Sequence, residues 1–316
     1  MPPAFALAAR SRVDPLPFFI AAFCLLWSSA FAVAKVALID CPPLILLATR
    51  FMLAGAVMLG AAAVSGALWR LTRRDLAVFA VLGIANNALY LGLNYVGMLS
   101  VSAGVAALIA SANPVLTAVF AAFFLGERMT WRKAAGLALG VGGVAAIVAR
   151  RVTAGTDSLT GIVLVVAALV ALVGGTILFK RLAPKGGLWV GNGVQNLAGG
   201  MAVAPFAFAF ESIGEVVPSW HLIAAQAYLV LLVSVFAYLL WFHLLTASGA
   251  TAASAYHFVM PPLAMLFGWQ LLGERVTLAD LIGIIPVALG IYLVTRPAAR
   301  SAHPPDARRG SVERLS

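Results

Sequence analysis

Asn86, Tyr90 and Asn94 recur at i, i+4 and i+8 within an otherwise apolar run, with Asn87 adjacent and Gly83 and Gly97 flanking them. On a helix that spacing gathers them on one face. Amides and phenols so placed either bind a polar solute or bridge helices, each interhelical contact contributing about 0.6–2 kcal/mol. Three amides and two tyrosines in one run exceed what packing requires, so the stripe is expected to line a cavity. Ser234, Tyr238 and Trp241 fall at i, i+4 and i+7 of a later run, Asn192, Gln195 and Asn196 form a third polar face, and Trp27, Asn113 and His257 add further polar groups. These side chains hold a ligand rather than break bonds. Asp40, Asp75, Glu127, Glu211, Glu274 and Asp280 all lie at the ends of apolar runs, and neither an HExxH motif nor a pair of mid-run aspartates is present. Metal and cofactor sites are not expected, because Cys24 and Cys41 form no CxxC motif or Cys/His cluster. A phosphate-binding loop is absent too, which argues against ATP drive within the chain.

The elements carrying these groups follow from composition. Hydrophobic residues make up 63% of the 316, and charged ones only 10%, far below the quarter of an ordinary soluble domain. About 20 apolar residues span the hydrocarbon of a bilayer. Ten segments qualify: 16–37, 43–65, 75–98, 101–124, 132–150, 159–180, 188–210, 221–246, 250–272 and 278–296. Their continuous length predicts helices rather than barrel strands. The first run, preceded by Arg10 and Arg12, is expected to be a retained helix rather than a cleaved signal. Residues 298–316, Pro-, Arg- and Ser-containing, read as a disordered tail.

The chain also repeats itself. Pro114 through Thr130 reappears as Pro261 through Thr277, at a constant offset of 147 that also pairs Gly136 with Gly283 and Gly143 with Gly290. Placing the N-terminus inside puts 16 of the Lys and Arg residues on the cytoplasmic side and 4 outside. That asymmetry fixes both termini in the cytoplasm and accounts for the net charge of +10 without nucleic acid. Five spans per repeat force the second copy into the membrane upside down. The expected architecture is all-α, with ten transmembrane helices in two inverted five-helix repeats at 16–151 and 152–297, after a cytoplasmic segment at 1–15.

Each repeat carries a proline in its fourth helix, then Leu-Gly-Glu-Arg-x-Thr, then a glycine-bearing fifth helix. Together with Trp27-Ser-Ser in the first helix, Arg50-Phe51 in the second and the Ser234–His243 run in the eighth, this pattern resembles the EamA-type transporters of the drug/metabolite transporter superfamily. The likeness covers residues 16–297. It implies a secondary transporter of the bacterial inner membrane, a monomer or homodimer, exporting amino acids, related metabolites or drugs through a central cavity. The first helix of the second repeat departs from the pattern, with Gly174-Gly175-Thr176 in place of Trp27-Ser28-Ser29. A facilitator or exchanger without proton coupling is the alternative, since mid-span carboxylates are missing; a membrane scaffold or intramembrane enzyme is more remote.

The repeated motif has local roles as well. Gly126 and Gly273 are expected to end their helices and Thr130 and Thr277 to cap the next, Thr277 with Asp280 as a capping-box partner. Glu127 and Glu274 are expected either to tie these tight turns or to act as gates. Pro114 and Pro261 are expected as kinks, either hinges or static bends. Arg50, about seven residues and so about 10 Å into its helix, is expected to hold a structural place with carbonyl or amide partners. Lys35 is expected to snorkel. His257, one turn before Pro261, is the candidate for pH dependence.

Overall fold

The computed structural model describes residues 15–67, 71–127, 129–182, 187–241, 243–244, 247 and 256–295, without the side chains of 257 and 258. Among the described residues every regular element is helical: α1 (Leu16–Asp40), α2 (Pro43–Val64), α3 (Arg73–Met98), α4 (Ala103–Leu125), α5 (Trp131–Thr153), α6 (Leu159–Leu182), α7 (Leu188–Phe210), α8 (Trp220–Trp241), α9 (Met260–Leu272) and α10 (Leu278–Thr295). All but α9 are long and apolar enough to cross a membrane. The 13 residues of α9 are too few alone, and residues 250–255 of the expected ninth span lie outside the description. Helices form here because hydrocarbon supplies no partner for a peptide group, so each segment satisfies its own.

Local sequence sets the ends. Gly126 and Gly273 close α4 and α9 with φ of +68° and +65°, a left-handed conformation that costs glycine nothing. Thr130 accepts the Lys133 amide. Thr277 and Asp280 cap reciprocally, each side chain accepting the other's backbone N–H.

Pro114 and Pro261 begin helical segments rather than bending continuous ones. α4 breaks at Ala112 into Ala103–Ser111 and Asn113–Leu125, with Pro114 in the first turn of the second piece. α9 starts at the matching place, with Pro261 in its first turn and a 3₁₀ turn, Tyr256–Val259, before it. A first-turn N–H has no intrahelical partner anyway, so proline sits there without loss. A second irregularity is also shared. α3 is π-helical over Ile84–Leu91 and α8 over Tyr228–Ala237, and the offset of 147 superimposes most of one stretch on the other.

Helices at equivalent places in the two repeats pack antiparallel. In the α2–α7 pair Gly55 meets Leu197, Gly193 meets Leu59 and Gly200 meets Met52. In the α5–α10 pair Gly136 meets Gly290, Gly143 meets Val287 and Gly283 meets Ile147. A Cβ on Gly290 would stand 2.5 Å from the Gly136 carbonyl oxygen and 2.6 Å from the Gly140 nitrogen, both backbone atoms that cannot swing aside. Gly290→Ala is therefore expected to destabilise the protein by about 1–3 kcal/mol. Gly142→Ala, with open space at its Cβ, should be neutral or slightly stabilising through helix propensity. Thermal unfolding of the two variants in detergent checks the contrast.

Candidate functional site

α2, α3 and α8 converge on a buried arginine. Arg50 of α2 is 5% exposed. Its Nε donates to Ser234 Oγ of α8 at 3.1 Å and its Nη1 to the Tyr95 hydroxyl of α3 at 2.5 Å. The guanidinium lies 5.5 Å from the Phe51 ring centroid, a cation–π contact. Tyr90 and Tyr238 stand within reach of its field. The partners are hydroxyls and a ring, not the carbonyls or amides expected from sequence; the residues that reach Arg50 come from helices 45 and 184 positions away.

An aromatic strip adjoins this centre. Trp27 packs on Tyr238 at 5.5 Å between ring centroids, and Phe23 packs on both Trp27 and Trp241 at 5.4 Å. Ser29 and the Tyr228 hydroxyl share a 2.7 Å hydrogen bond across the same α1–α8 seam. Trp27, Tyr90, Ser234, Tyr238 and Trp241 thus gather in one region.

Other polar groups meet partners of their own or none. Asn86 lies against Gly175 of α6, where any side chain would collide with it. Gly175, which stands where the first repeat has Ser28, makes room for this amide, whereas a Cβ on Gly174 would meet nothing. Asn94 is 1% exposed, and neither its Oδ1 nor its Nδ2 has a hydrogen-bond partner among the described residues; the same holds for Asn86 Oδ1 and Ser28 Oγ. Asn86 lies within the π-helical stretch of α3, and Asn94 lies beyond its end. Asn192 and Asn196 turn inward to packing: Asn192 Nδ2 donates to the Ser234 carbonyl at 3.3 Å, and Asn196 Nδ2 to the Asn192 carbonyl at 2.9 Å. The Gln195 backbone presses on Gly83. Asn113 accepts from Thr117 at 3.1 Å. The side chain of His257 lies outside the described residues.

A polar lattice ties the end of the bundle that holds Glu274. The Glu274 carboxylate accepts the Ala103 amide at 2.7 Å and the Gly104 amide at 3.3 Å, and pairs with Lys35 at 3.3 Å. Lys35 also donates to the Val101 carbonyl at 2.6 Å, so it is paired rather than snorkelling. Glu274 therefore reaches across to the start of α4 and the end of α1 instead of tying its own turn. Glu211 caps the start of α2 through the Leu44 and Ile45 amides. Asp40 takes the Ser219 hydroxyl. Arg151 spans Asp280 at 2.9 Å and Asp157 at 3.6 Å, and Arg150 also pairs with Asp280. Sequence reasoning missed this cluster, because nothing in linear spacing joins residues 151, 157 and 280. Clefts of about 310 and 520 Å³ open at this end beside Lys35, Leu99 and Glu274 and beside Leu44, Phe210 and Glu211, away from Arg50.

At the opposite end Glu127 is exposed and pairs with Lys133 at 3.2 Å and Lys180 at 3.6 Å. The Lys133 hydrogen bond, helped by the Lys180 charge, holds its carboxyl below the usual range. That tie is present at neutral pH and is lost as pH falls through the lowered value.

Cys41, between α1 and α2, is 5% exposed, and burial followed by the Glu211 charge pushes its thiol up to about 11. The thiolate is the reactive form, so Cys41 is expected to resist maleimide at pH 7 in native membranes, as is the buried Cys24. Mass analysis before and after denaturation checks this.

The model of the EamA-like transporter family matches residues 16–149 and 159–296. The chain belongs to that family. This EamA-like transporter is 30% identical to the "Probable terminal-alkyne amino-acid exporter" of Streptantibioticus cattleyicolor, over 85% of its own length and 90% of the relative. It is 27% identical to the "S-adenosylmethionine/S-adenosylhomocysteine transporter" of Chlamydia muridarum, over 93% of its length and 96% of the relative. A solved crystal structure at 22% identity shares the fold, with a TM-score of 0.64 over 89% of this chain and 96% of the other. The EamA-like chain is accordingly a multi-pass membrane transporter of a small molecule, not an enzyme.

Proposed function

We propose that this EamA-like chain is a secondary transporter that exports small amphipathic metabolites of the amino-acid type across the bacterial inner membrane by alternating access. The observation that carries the reading is the polar and aromatic centre at Arg50, Tyr95, Ser234, Tyr238 and Trp27, buried among otherwise apolar helices. Such groups inside a membrane are expensive and mark solute paths. The π stretches of α3 and α8, which contain Asn86, Tyr90 and Ser234, support the same reading, because π-bulges concentrate at functional sites. Trp27, Tyr90, Asn94, Ser234, Tyr238 and Trp241 are the proposed solute contacts, with Asn86, Asn113, Gln195 and His257 as further candidates.

Ten spans in two inverted repeats suit the antiparallel packing of α2 on α7 and of α5 on α10, because a half turned upside down sets its helices against their equivalents in that way. Pro114 and Pro261 are proposed as hinges at the matching helix starts. Glu274 is proposed as a gate at the outer end, with Glu127 at the inner. The two relatives are named for an amino acid and for S-adenosylmethionine, each of which carries an α-amino carboxylate, and this supports an amino-acid-like solute. The proton-uncoupled alternative is favoured by one fact: no Asp or Glu lies near the middle of a span.

Untargeted comparison of spent medium from deletion and overexpressing cells tests export. The reading predicts a small set of metabolites that overexpression enriches and deletion depletes; identical media overturn it. For orientation, reporter fusions after residues 72, 186 and 300 are expected to report cytoplasm, and those after 40, 155 and 215 the outside. A cytoplasmic signal at 215 overturns the inverted arrangement.

A further inference from the structure

The guanidinium of Arg50 is a permanent charge held in a buried place, and its protein partners leave that charge unanswered. A carboxylate is absent within 4 Å of it among the described residues. The undescribed stretch between 241 and 256 contains neither Asp nor Glu in its sequence. An arginine at mid-membrane costs about 2.5–3.5 kcal/mol on insertion scales even before pairing is considered. Two neutral hydroxyls recover only part of that.

The direction of those hydrogen bonds decides what the site accepts. A guanidinium has five N–H donors and no acceptor, and here two of its nitrogens donate, to Ser234 and Tyr95. Each hydroxyl uses an oxygen lone pair to accept from the arginine, so its own proton is turned outward to donate. The remaining guanidinium N–H groups, the Ser234 O–H and the Tyr95 O–H therefore form a set of donors around one positive charge. A neutral or cationic solute leaves such a set unmatched, whereas a carboxylate takes two parallel guanidinium bonds and leaves lone pairs for the hydroxyls. Asn94, next to Tyr95 and nine-tenths buried or more, has both amide atoms unpartnered and adds a second polar anchor on α3. Tyr238, four residues beyond Ser234 on α8, leads to the Trp27 and Phe23 rings, a surface for the apolar part of the solute.

We propose that Arg50, with the hydroxyls of Ser234 and Tyr95, is the receptor for the carboxylate of the transported solute, a small α-amino acid or a derivative that keeps its free carboxylate. This rests on the transport reading above and narrows it. It also reverses the expectation that Arg50 is only a structural anchor.

The test is thermal unfolding of the purified full chain in detergent, with a millimolar equimolar mixture of the twenty common L-amino acids or the same mixture of their carboxamides. Wild type is expected to gain about 2 °C with the acids and nothing with the amides, the shift that a ligand at about ten times its Kd gives a chain of this size. Arg50→Gln is expected to lose the gain, Arg50→Lys to keep part of it, and Tyr95→Phe to weaken it. An equal gain from amides, no gain from acids, or an undiminished gain in Arg50→Gln overturns the proposal. Should Arg50→Gln show no cooperative transition without ligand, Tyr95→Phe and Ser234→Ala decide in its place. The spent-medium comparison judges transport separately: exported metabolites that lack a carboxylate leave transport standing and sink the Arg50 proposal, whereas unchanged medium sinks the export reading alone.

Discussion

Asp280→Asn is expected to destabilise the protein by about 3–5 kcal/mol, the range for leaving one member of a buried ion pair without its partner. The Asp280 side chain is fully buried, and that of Arg151 is 8% exposed. Asparagine keeps nearly the same shape and can still accept a capping hydrogen bond from the Thr277 amide, so the substitution isolates the charge. Arg151 is then left with one carboxylate, Asp157 at 3.6 Å, and the Arg275 carbonyl. Arg150→Gln removes a charge from the same cluster, but its side chain is 41% exposed and its loss should cost no more than about 1 kcal/mol. Removing both charges, as Arg151→Met with Asp280→Leu, should cost less than the two single changes added together, because Arg151 and Asp280 then leave together, while Asp157, which loses Arg151, keeps the Ser102 amide and hydroxyl. Midpoints of thermal unfolding in detergent give the comparison. If Asp280→Asn unfolds with wild type, the cluster is solvated and contributes little.

Local features were legible in sequence wherever one residue type suits one backbone need. Gly126 and Gly273 adopt the left-handed conformation that glycine alone takes freely, and Thr277 with Asp280 forms the reciprocal cap that their spacing indicates. The helices were legible because long apolar runs in hydrocarbon have few alternatives. The candidate site was legible as a set of residue types, and less so as a geometry. The spacing of Asn86, Tyr90 and Asn94 is that of a regular helix, whereas α3 is π-helical over Ile84–Leu91, and no local sequence signal marks that stretch. Glu127 and Glu274 belong to the same motif, yet one pairs with Lys133 nearby and Lys180 of α6, and the other with backbone 171 positions away. Arg50 was read from its neighbours in sequence, whereas Ser234 and Tyr95 set its role. Periodicity reports which face a residue occupies, not what the facing helix brings to meet it.

On the proposed orientation, which puts Glu274 at the outer end, Glu274→Gln is expected to raise access to the central site from outside the cell about tenfold. The carboxylate bridges the loop after α9 to the first turn of α4 and to Lys35 of α1, so three helices are held together at one end. Hydrogen bonds to a charged group contribute about 1.5–3 kcal/mol. Glutamine retains one carbonyl acceptor for an amide while losing the charge, so a shift near the lower bound is expected, and about 1.4 kcal/mol is a factor of ten in population. Lys35→Met removes the ion pair but leaves both amide contacts to Glu274, and its effect should be the smaller of the two. Exchanging the charges, Lys35→Glu with Glu274→Lys, restores a pair but offers no acceptor to Ala103 and Gly104, so it should not rescue closure. The readout is labelling of Ser28→Cys in α1 by a membrane-impermeant thiol reagent added to whole cells, against the unreactive background expected of Cys24 and Cys41. Faster labelling in Glu274→Gln, with Lys35→Met between it and the parent, makes the carboxylate a latch on the outer end. Equal rates in all three make it a fixed helix cap, and the control of access then has to be sought at the Glu127 end.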